Sequence, residues 1–381
     1  MSNKLKFIKD LASGILSYNI ISHFRTLKPK KMQIVVTYQC NSRCIMCNIW
    51  KNKPGSELSL TAWKDVLKDP IFTDIEKVNI TGGEAFLKPD IIPFINLLIE
   101  ALPKINYIDM VSNGFSTDII VQSTREIINI CNRHSIRFAL SISLDGVGSK
   151  HDDVRQIPLA YEKAMRTVMA LQELQKTHPF TLGIGSVIMS TTLSEVDRLI
   201  DLSSQHKIPH HFQIVSFHDS YVDNIDTKHS IGFTEKDLES LLHICEKFGK
   251  PKGWSDLLSY FWKDQYFMRK YGLPRSTPCP FLLDEFAIDA AGNVYYCLGG
   301  GSIGNIKESP GSKPVSTLYF SPQNLIRRKR MKTELCPACS SICNARKAIA
   351  YDFKKFVWFK LTGTPWHGIK YHARRLIRFK T

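Results

Sequence analysis

An alternation beginning at residue 32 narrows the folds open to this chain more than anything else in it. Apolar runs rich in β-branched residues at Met32–Tyr38, Lys77–Thr81, Tyr107–Asn113, Arg137–Asp145, Thr181–Met189 and His210–Phe217 take turns with helical patterns. The helical patterns are Ser59–Lys68, Asp90–Leu102, Thr117–His134, Leu159–Thr177, Ser194–His206 and Thr234–Phe248, the last with Thr234 as an N-cap ahead of Glu235 and Asp237. Strand and helix in strict turn, with crossovers of about ten or more residues, is the pattern of a parallel α/β sheet. Such strands are expected to be apolar on both faces. A closed barrel of this kind takes eight units and six are present, so the expected fold is a partial (β/α)6 TIM-like barrel over residues 32–250.

The rhythm stops after residue 250. Gly- and Pro-rich stretches (KPKGW, GLPRSTPCP, LGGGSIGN, KESPGSKP), hairpin-like strands at Glu285–Asp289 and Asn293–Cys297 and five cysteines mark a second, smaller domain over 251–350. Residues 351–381 form a basic, aromatic, helical tail and residues 1–31 a basic amphipathic segment. In that segment Phe7, Leu11, Ile15 and Leu16 recur at helical spacing.

The chain has 381 residues and a formal charge of +16, placed at its ends: +6 in residues 1–31 and +9 in 344–381. The body between them is nearly neutral, which disfavours nucleic acid as a partner gripped along the elements. Residues 4–24 imitate a secretory signal only loosely, since Ser13, Ser17, Asn19, Ser22 and His23 interrupt the apolar stretch. No run approaches the ~18 apolar residues of a membrane span. A cytoplasmic protein, peripheral at the inner membrane face, is the expectation.

Eight of the ten cysteines fall in groups. Cys40, Cys44 and Cys47 form C-x3-C-x2-C after the first strand; Cys279 and Cys297 bracket a short segment; Cys336, Cys339 and Cys343 form C-x2-C-x3-C. Cys131 and Cys245 sit inside helical patterns and read as small apolar residues. In a parallel sheet, function gathers in the loops after the strands' carboxyl ends. Here those loops hold the three cysteines, then Gly82-Gly83-Glu84, then Asn113-Gly114, then Ser143-Leu144-Asp145-Gly146. Three thiolates without a fourth nearby ligand suit an open metal centre, because a structural zinc closes its tetrahedron and an iron–sulfur cluster normally takes four cysteines.

The cysteine spacing after strand one, followed by GGE after strand two, resembles the radical S-adenosylmethionine (SAM) superfamily over roughly residues 32–250. The resemblance implies Cys40, Cys44 and Cys47 as ligands of a [4Fe-4S] cluster whose open iron is chelated by SAM. It implies Gly82, Gly83 and Glu84 as the segment meeting the SAM amino group, with Glu84 accepting from that ammonium. Less specifically it implies Asn113 and Ser143 near the ribose and Arg155 against the SAM carboxylate. Capping and surface pairing are the plainer roles for these last three. Met46 stands where the family usually has an aromatic residue. The implied chemistry is one-electron cleavage of SAM to methionine and a 5′-deoxyadenosyl radical, then hydrogen abstraction, with a reductase such as flavodoxin or ferredoxin as electron donor.

The later cysteines are similar to SPASM/twitch extensions of the same superfamily, which hold auxiliary clusters. Five cysteines where the full SPASM pattern has seven imply one auxiliary [4Fe-4S] cluster on Cys279, Cys297, Cys336 and Cys339, with Cys343 an alternative ligand or a spare. It would serve as electron acceptor in a net oxidation. A structural zinc ribbon is the plainer reading of these residues alone. Gly292 is expected in a turn with φ > 0.

The substrate expected from the sequence is a sugar, aminocyclitol or lipid-linked intermediate, oxidised or rearranged. Peptide or protein modification, RNA modification, and a non-enzymatic iron–sulfur or zinc scaffold stay open beside it. The basic, aromatic ends favour an anionic membrane surface as a partner. His210, His211 and Asp219 are read as ending the sixth strand and facing the expected mouth, with a core or loop role expected for each.

Overall fold

The computed structural model describes residues 11–51, 57–220, 222–253, 256–279, 281, 283–309, 311–342 and 349–366. The chain divides into two compact units: residues 28–232 with 285–326, and residues 1–27 with 233–284 and 327–381.

The larger unit is built on one sheet. Its first six strands are parallel: β1 (Lys31–Val35), β2 (Lys77–Thr81), β3 (Tyr107–Ser112), β4 (Arg137–Ser143), β5 (Thr181–Ile188) and β6 (His210–Ile214). The crossovers carry α1 (Leu60–Val66), α2 (Ile91–Ala101), α3 (Thr117–Arg133), α4 (Ser149–Arg155) with α5 (Ala160–Gln175), and α6 (Val196–Gln205). Each expected strand is present, shortened at its carboxyl end by up to three residues except β2. Those trimmed residues leave the ladder to start the functional loops. The sheet runs β6-β5-β4-β3-β2-β1 and continues into β7 (Glu285–Ile288), β8 (Asn293–Tyr295) and β9 (Gly304–Asn305), so among the described residues β6 and β9 stand at its two ends and the barrel is partial.

Two differences from the sequence reading have physical causes. The strand and hairpin at 285–305, read with the smaller domain, pair onto β1: β7 lies parallel to it with Lys31 opposite Glu285. All four residues of β7 are buried, as an interior strand requires, and Lys31 and Glu285 form a buried ion pair at 3.9 Å. The parallel strands are also not apolar on both faces. Met32, Ile34, Val78, Ile80, Ile108, Met110, Ile142 and Ile184 are essentially inaccessible. The alternate residues Gln33, Asn79, Thr81, Asp109, Ser141 and Ser143 are only half-buried, and His211 and Gln213 are exposed. The first set packs under the helices, with Trp63 of α1 edge-on to Phe94 of α2 at 5.4 Å. An open barrel leaves its concave face wet, so that face takes polar residues.

In the smaller unit α7 (Leu238–Gly249) packs on α8 (Leu258–Tyr271), with Phe248 and Trp262 rings 4.8 Å apart. Thr234 heads the turn before α7, where its N–H donates to Asp237 at 2.8 Å, completing the expected cap. Cys245 is buried on α7, and Cys131 is buried on α3 in the larger unit. Tyr260 of α8 stacks on Phe359 of the helix Phe353–Thr362 at 5.1 Å. The chain is helical from Leu11 to Phe24, with a π turn at Ser17–Ile21.

Candidate functional site

The site begins where β1 ends. Tyr38 donates its backbone N–H to Glu57 Oε1 at 2.7 Å and the Thr37 hydroxyl donates to the same atom at 2.9 Å, which turns the chain into the cysteine loop. The loop after β2 lies against it, with Gly83 N–H on Thr37 O and Glu84 N–H on Gln39 O, each at 2.8 Å. A Cβ on Gly82 would stand 2.6 Å from Thr37 O, and one on Gly83 only 2.1 Å from Gln39 O. The two glycines are thus required by the approach of one loop backbone to another.

Glu84 is 1% exposed. Its carboxylate accepts from the Asn113 backbone N–H (2.7 Å), the Ser112 hydroxyl (2.9 Å) and the Phe86 N–H (3.2 Å), locking the second loop to the third. Burial raises its pKa against the pull of those three donors. It sits behind the cavity wall and is not among the residues that line it. Asn113 does line it, accepting from Phe115 N–H and donating to Asn41 Oδ1 at 2.7 Å.

Arg155 closes the fourth side. This buried guanidinium pairs with Asp145 at 2.6 Å and donates to Cys44 Sγ at 3.4 Å, while its carbonyl accepts from Arg43 N–H and the Ser42 hydroxyl. Burial opposes its charge, but Asp145 and Cys44 outweigh that and hold it protonated. Its Nε is buried with no hydrogen-bond partner among the described residues. Behind it His151, fully buried, accepts from Asp145 N–H, and burial with Arg155 alongside pushes its pKa down to about 2.

These loops enclose a cavity of about 240 Å³ lined by Cys40, Cys44 and Cys47, by Gly82 and Gly83, and by Asn113, Ser143 and Arg155. Met46 is in the same wall, with Ile49, Val187, Val215 and Val222 supplying apolar surface around it. Burial pushes the Cys40 thiol up to about 11 and Cys47 to about 12. Such thiols bind a metal only if the metal displaces their protons, and a partly positive wall from Arg155 assists that. Among the described residues no three His, Cys, Asp or Glu side chains are gathered to hold a single metal ion. The three thiols surround a space instead of a point, and an orphaned buried donor beside Cys44 awaits an anionic group. These residues fit a cluster-sized group with a carboxylate-bearing partner.

The loop after β6 was not singled out from the sequence, apart from Asp219. Gln213 near the end of β6 and Val215, Ser216, His218, Val222 and Asn224 after it all line the cavity. Asn224 donates to Met46 O (2.9 Å) and Ser216 O (3.1 Å), and Asn48 N–H donates to Val222 O (2.7 Å), clamping the cysteine loop. Applying the carboxyl-end rule to the sixth strand as well as the first four would have pointed here. His210 and His211 open β6 and so lie at its other end. His210 bonds Ser186 Oγ at 2.7 Å and stacks on Phe212, a core role, and burial pushes its pKa down to about 4.

Residues 34–202 match the sequence profile of the Radical SAM superfamily. The chain carries a radical SAM domain. Domains of this superfamily use a [4Fe-4S] cluster and SAM, the pair of groups that the cavity fits. The chain is 35% identical over 86 residues to a probable GTP 3′,8-cyclase of Methanopyrus kandleri, covering 22% of this chain and 27% of that protein. It is 27% identical over 147 residues to the sporulation killing factor maturation protein SkfB of Bacillus subtilis, covering 38% and 33%. It thus spans a third or less of these relatives' length. Among solved structures its fold is similar to Streptococcus suis SuiB bound to S-adenosylmethionine (TM-score 0.56, 15% identity, 91% of this chain and 78% of that one). It is similar also to SuiB bound to the precursor peptide SuiA (TM-score 0.57, 14% identity, 86% and 72%). Among the described residues no helix is long and apolar enough to cross a membrane.

The later cysteines divide between the units. Cys297 belongs to the larger, where the Cβ position of Gly299 is 4.0 Å from its sulfur and 3.9 Å from His218 of the cavity wall. Gly292, in the same hairpin, has φ +92°, the turn expected of it. Cys279, Cys336 and Cys339 belong to the smaller unit. There Arg275 N–H donates to Pro337 O (2.8 Å) and its guanidinium to Ser341 O (2.7 Å), tying the Cys279 segment to the Cys336–Cys339 turn. Buried Asp264 accepts from the N–H and hydroxyl of both Ser276 and Thr277 at 2.6–3.1 Å, which sets the backbone leading to Cys279. Burial, with Cys279 and Cys339 nearby, pushes the Cys336 thiol up to about 12. Cys343 lies outside the described residues.

Proposed function

We propose that this chain is a radical SAM enzyme in which Cys40, Cys44 and Cys47 hold a [4Fe-4S] cluster and the cavity beside them holds SAM. The observation that carries the reading is the single cavity onto which these three cysteines, Gly82, Gly83 and Arg155 open. When bound, cluster and SAM together supply one-electron cleavage to methionine and a 5′-deoxyadenosyl radical that abstracts hydrogen. The protein's own residues orient and shield. Arg155 offers its Nε to the carboxylate of SAM while Asp145 holds the guanidinium in place. Gly82 and Gly83 keep the wall flat enough for backbone contact with the amino group. Glu84 acts behind them, locking the second loop to the third. Asn113 and Ser143 supply polar contacts for the ribose, and Met46 with the valines takes the adenine place.

A peptide or protein is the substrate class with the better support, because SuiB was solved with a precursor peptide and SkfB is named as a maturation protein. The sugar, aminocyclitol or lipid-linked substrate expected from the sequence has no such support. Cys279, Cys336 and Cys339 are proposed as ligands of an auxiliary cluster, which would supply an electron acceptor for a net oxidation. A flavodoxin or ferredoxin is proposed as donor to the first cluster, and the basic ends are proposed to bring the enzyme to an anionic membrane surface.

Anaerobic reconstitution with iron and sulfide, then SAM and dithionite, tests the reading. About eight irons per chain and 5′-deoxyadenosine formation that requires Cys40, Cys44 and Cys47 are expected. Iron-loaded protein that leaves SAM whole overturns it.

A further inference from the structure

The helical segment 11–24 packs one side on the body of its unit. Gly14 faces Tyr351, Asn19 Nδ2 donates to Tyr351 O at 2.9 Å, and the Tyr18 hydroxyl reaches Asp352 at 3.5 Å. Its outer side carries apolar residues at every fourth position: Leu16 is 49% exposed, Ile20 52% and Phe24 86%. A spacing of four keeps residues on one side of a helix, and the wide π turn at Ser17–Ile21 does not rotate them away. The next element of the same unit repeats the pattern. After the Tyr351–Asp352 contact, the helix Phe353–Thr362 exposes Phe353 (52%) and Leu361 (70%), and Trp366 beyond it is 38% exposed.

Six large apolar side chains on two contacting elements are more than the scattered exposure of an ordinary surface. What covers them is indicated by charge. The segments that bear them, 1–27 and 344–381, carry +3 and +9 of the chain's +16, and exposed Arg25 and Lys354 directly adjoin Phe24 and Phe353. A nucleic acid would use the charge but leave Leu16, Ile20 and Leu361 in water. An anionic bilayer uses both, attracting each nearby Lys or Arg by about 1 kcal/mol and taking apolar and aromatic side chains at the headgroup boundary.

We propose that Leu16, Ile20 and Phe24, with Phe353, Leu361 and Trp366, form the face that seats in an anionic lipid surface. The inference rests on the proposal that the basic ends bring the protein to such a surface, and it adds which side chains enter the bilayer. The geometry makes the N-terminal helical segment and the helix at 353–362 a single docking element.

Flotation of the full chain with vesicles of phosphatidylcholine alone, or containing phosphatidylglycerol, tests it. The wild type is expected to float with the anionic vesicles and not with the neutral ones. A variant carrying Leu16→Glu, Ile20→Glu and Phe24→Glu is expected to lose about tenfold in partitioning. Leu361→Ser with Trp366→Ser is expected to lose less. Ile119→Glu with Met169→Glu, which replaces equally exposed apolar residues on α3 and α5, is expected to change nothing. Wild type that stays unbound, or binds neutral vesicles equally, overturns the electrostatic reading and the inference with it. Wild type that binds while both docking-face variants bind as well, each with an unchanged circular dichroism spectrum, overturns the inference alone. Equal loss in the Ile119/Met169 variant overturns it too.

Discussion

The two places where cysteines gather are built in opposite ways. Cys40, Cys44 and Cys47 lie on one loop, and the surrounding loops hold that loop still through backbone bonds at Thr37, Gln39, Met46 and Asn48. Cys279 and the Cys336–Cys339 turn come from segments far apart in the chain and are joined by Arg275, with Asp264 bracing one of them. A loop at the mouth of a parallel sheet needs only its neighbours to be shaped, whereas a site assembled from distant segments depends on buried polar side chains that link them. The first design separates stability from ligand identity, and the second couples them.

The sharpest way to break that comparison is to remove ligands. Cys40→Ala is expected to lower 5′-deoxyadenosine formation at least about a hundredfold, with thermal unfolding of the metal-free protein unchanged. Cys336→Ala with Cys339→Ala is expected to cut bound iron by about half while SAM cleavage stays within a few-fold. Iron counting and product assay on the same samples check both, and a collapse of SAM cleavage in the second variant would mean the sites do not act separately.

Next in size is Arg155→Met, which leaves Asp145 charged and buried at the first site. A loss of about 3–5 kcal/mol is expected in urea unfolding, because an uncompensated buried carboxylate remains; Asp145→Asn with Arg155→Met should recover part of it. Asp264→Ala at the second site strands the donors of Ser276 and Thr277 and is expected to cost about 2–3 kcal/mol. It should also lower iron binding at Cys279, Cys336 and Cys339 and spare the first site. If iron falls at neither, the brace is structural only.

The smallest effect lies away from both. His210 is buried neutral between Ser186 and Phe212, with its pKa pushed down to about 4. The folded chain resists a proton that the unfolded chain accepts near the ordinary histidine value of about 6.5. Its contribution is therefore intact above about pH 6.5 and is lost as pH falls toward 4. The loss is about 1–2 kcal/mol after allowing for partial exposure. His210→Gln should flatten the difference in urea midpoint between pH 7 and pH 4.5; an unchanged slope would count against it.

Much of the larger unit was legible because its determinants are local. The six strands and their crossovers follow from runs of β-branched residues and helical spacing, and the C-x3-C-x2-C and GGE loops follow from strand ends. The strand at 285–288 was misplaced because its partner, β1, is some 250 residues away in the chain, and only the need to cover that edge pairs them. That Glu84 accepts from Ser112 and Asn113 and locks the second loop to the third is shown by no local pattern in the sequence. The loop after β6 went unread apart from Asp219, because its role comes from contacts across the mouth, Asn224 reaching Met46 O and Asn48 N–H reaching Val222 O.

The sequence by itself determined the order of strands and helices, the polar loops at their ends and the thiol triplet, because periodicity and spacing act within a few residues. Only the tertiary structure decided that Arg155 stands between Asp145 and Cys44, that Gly83 admits no side chain, and that Cys297 and Cys279 belong to different units. Those are matters of approach between segments distant in sequence, set by packing and by the satisfaction of buried polar groups.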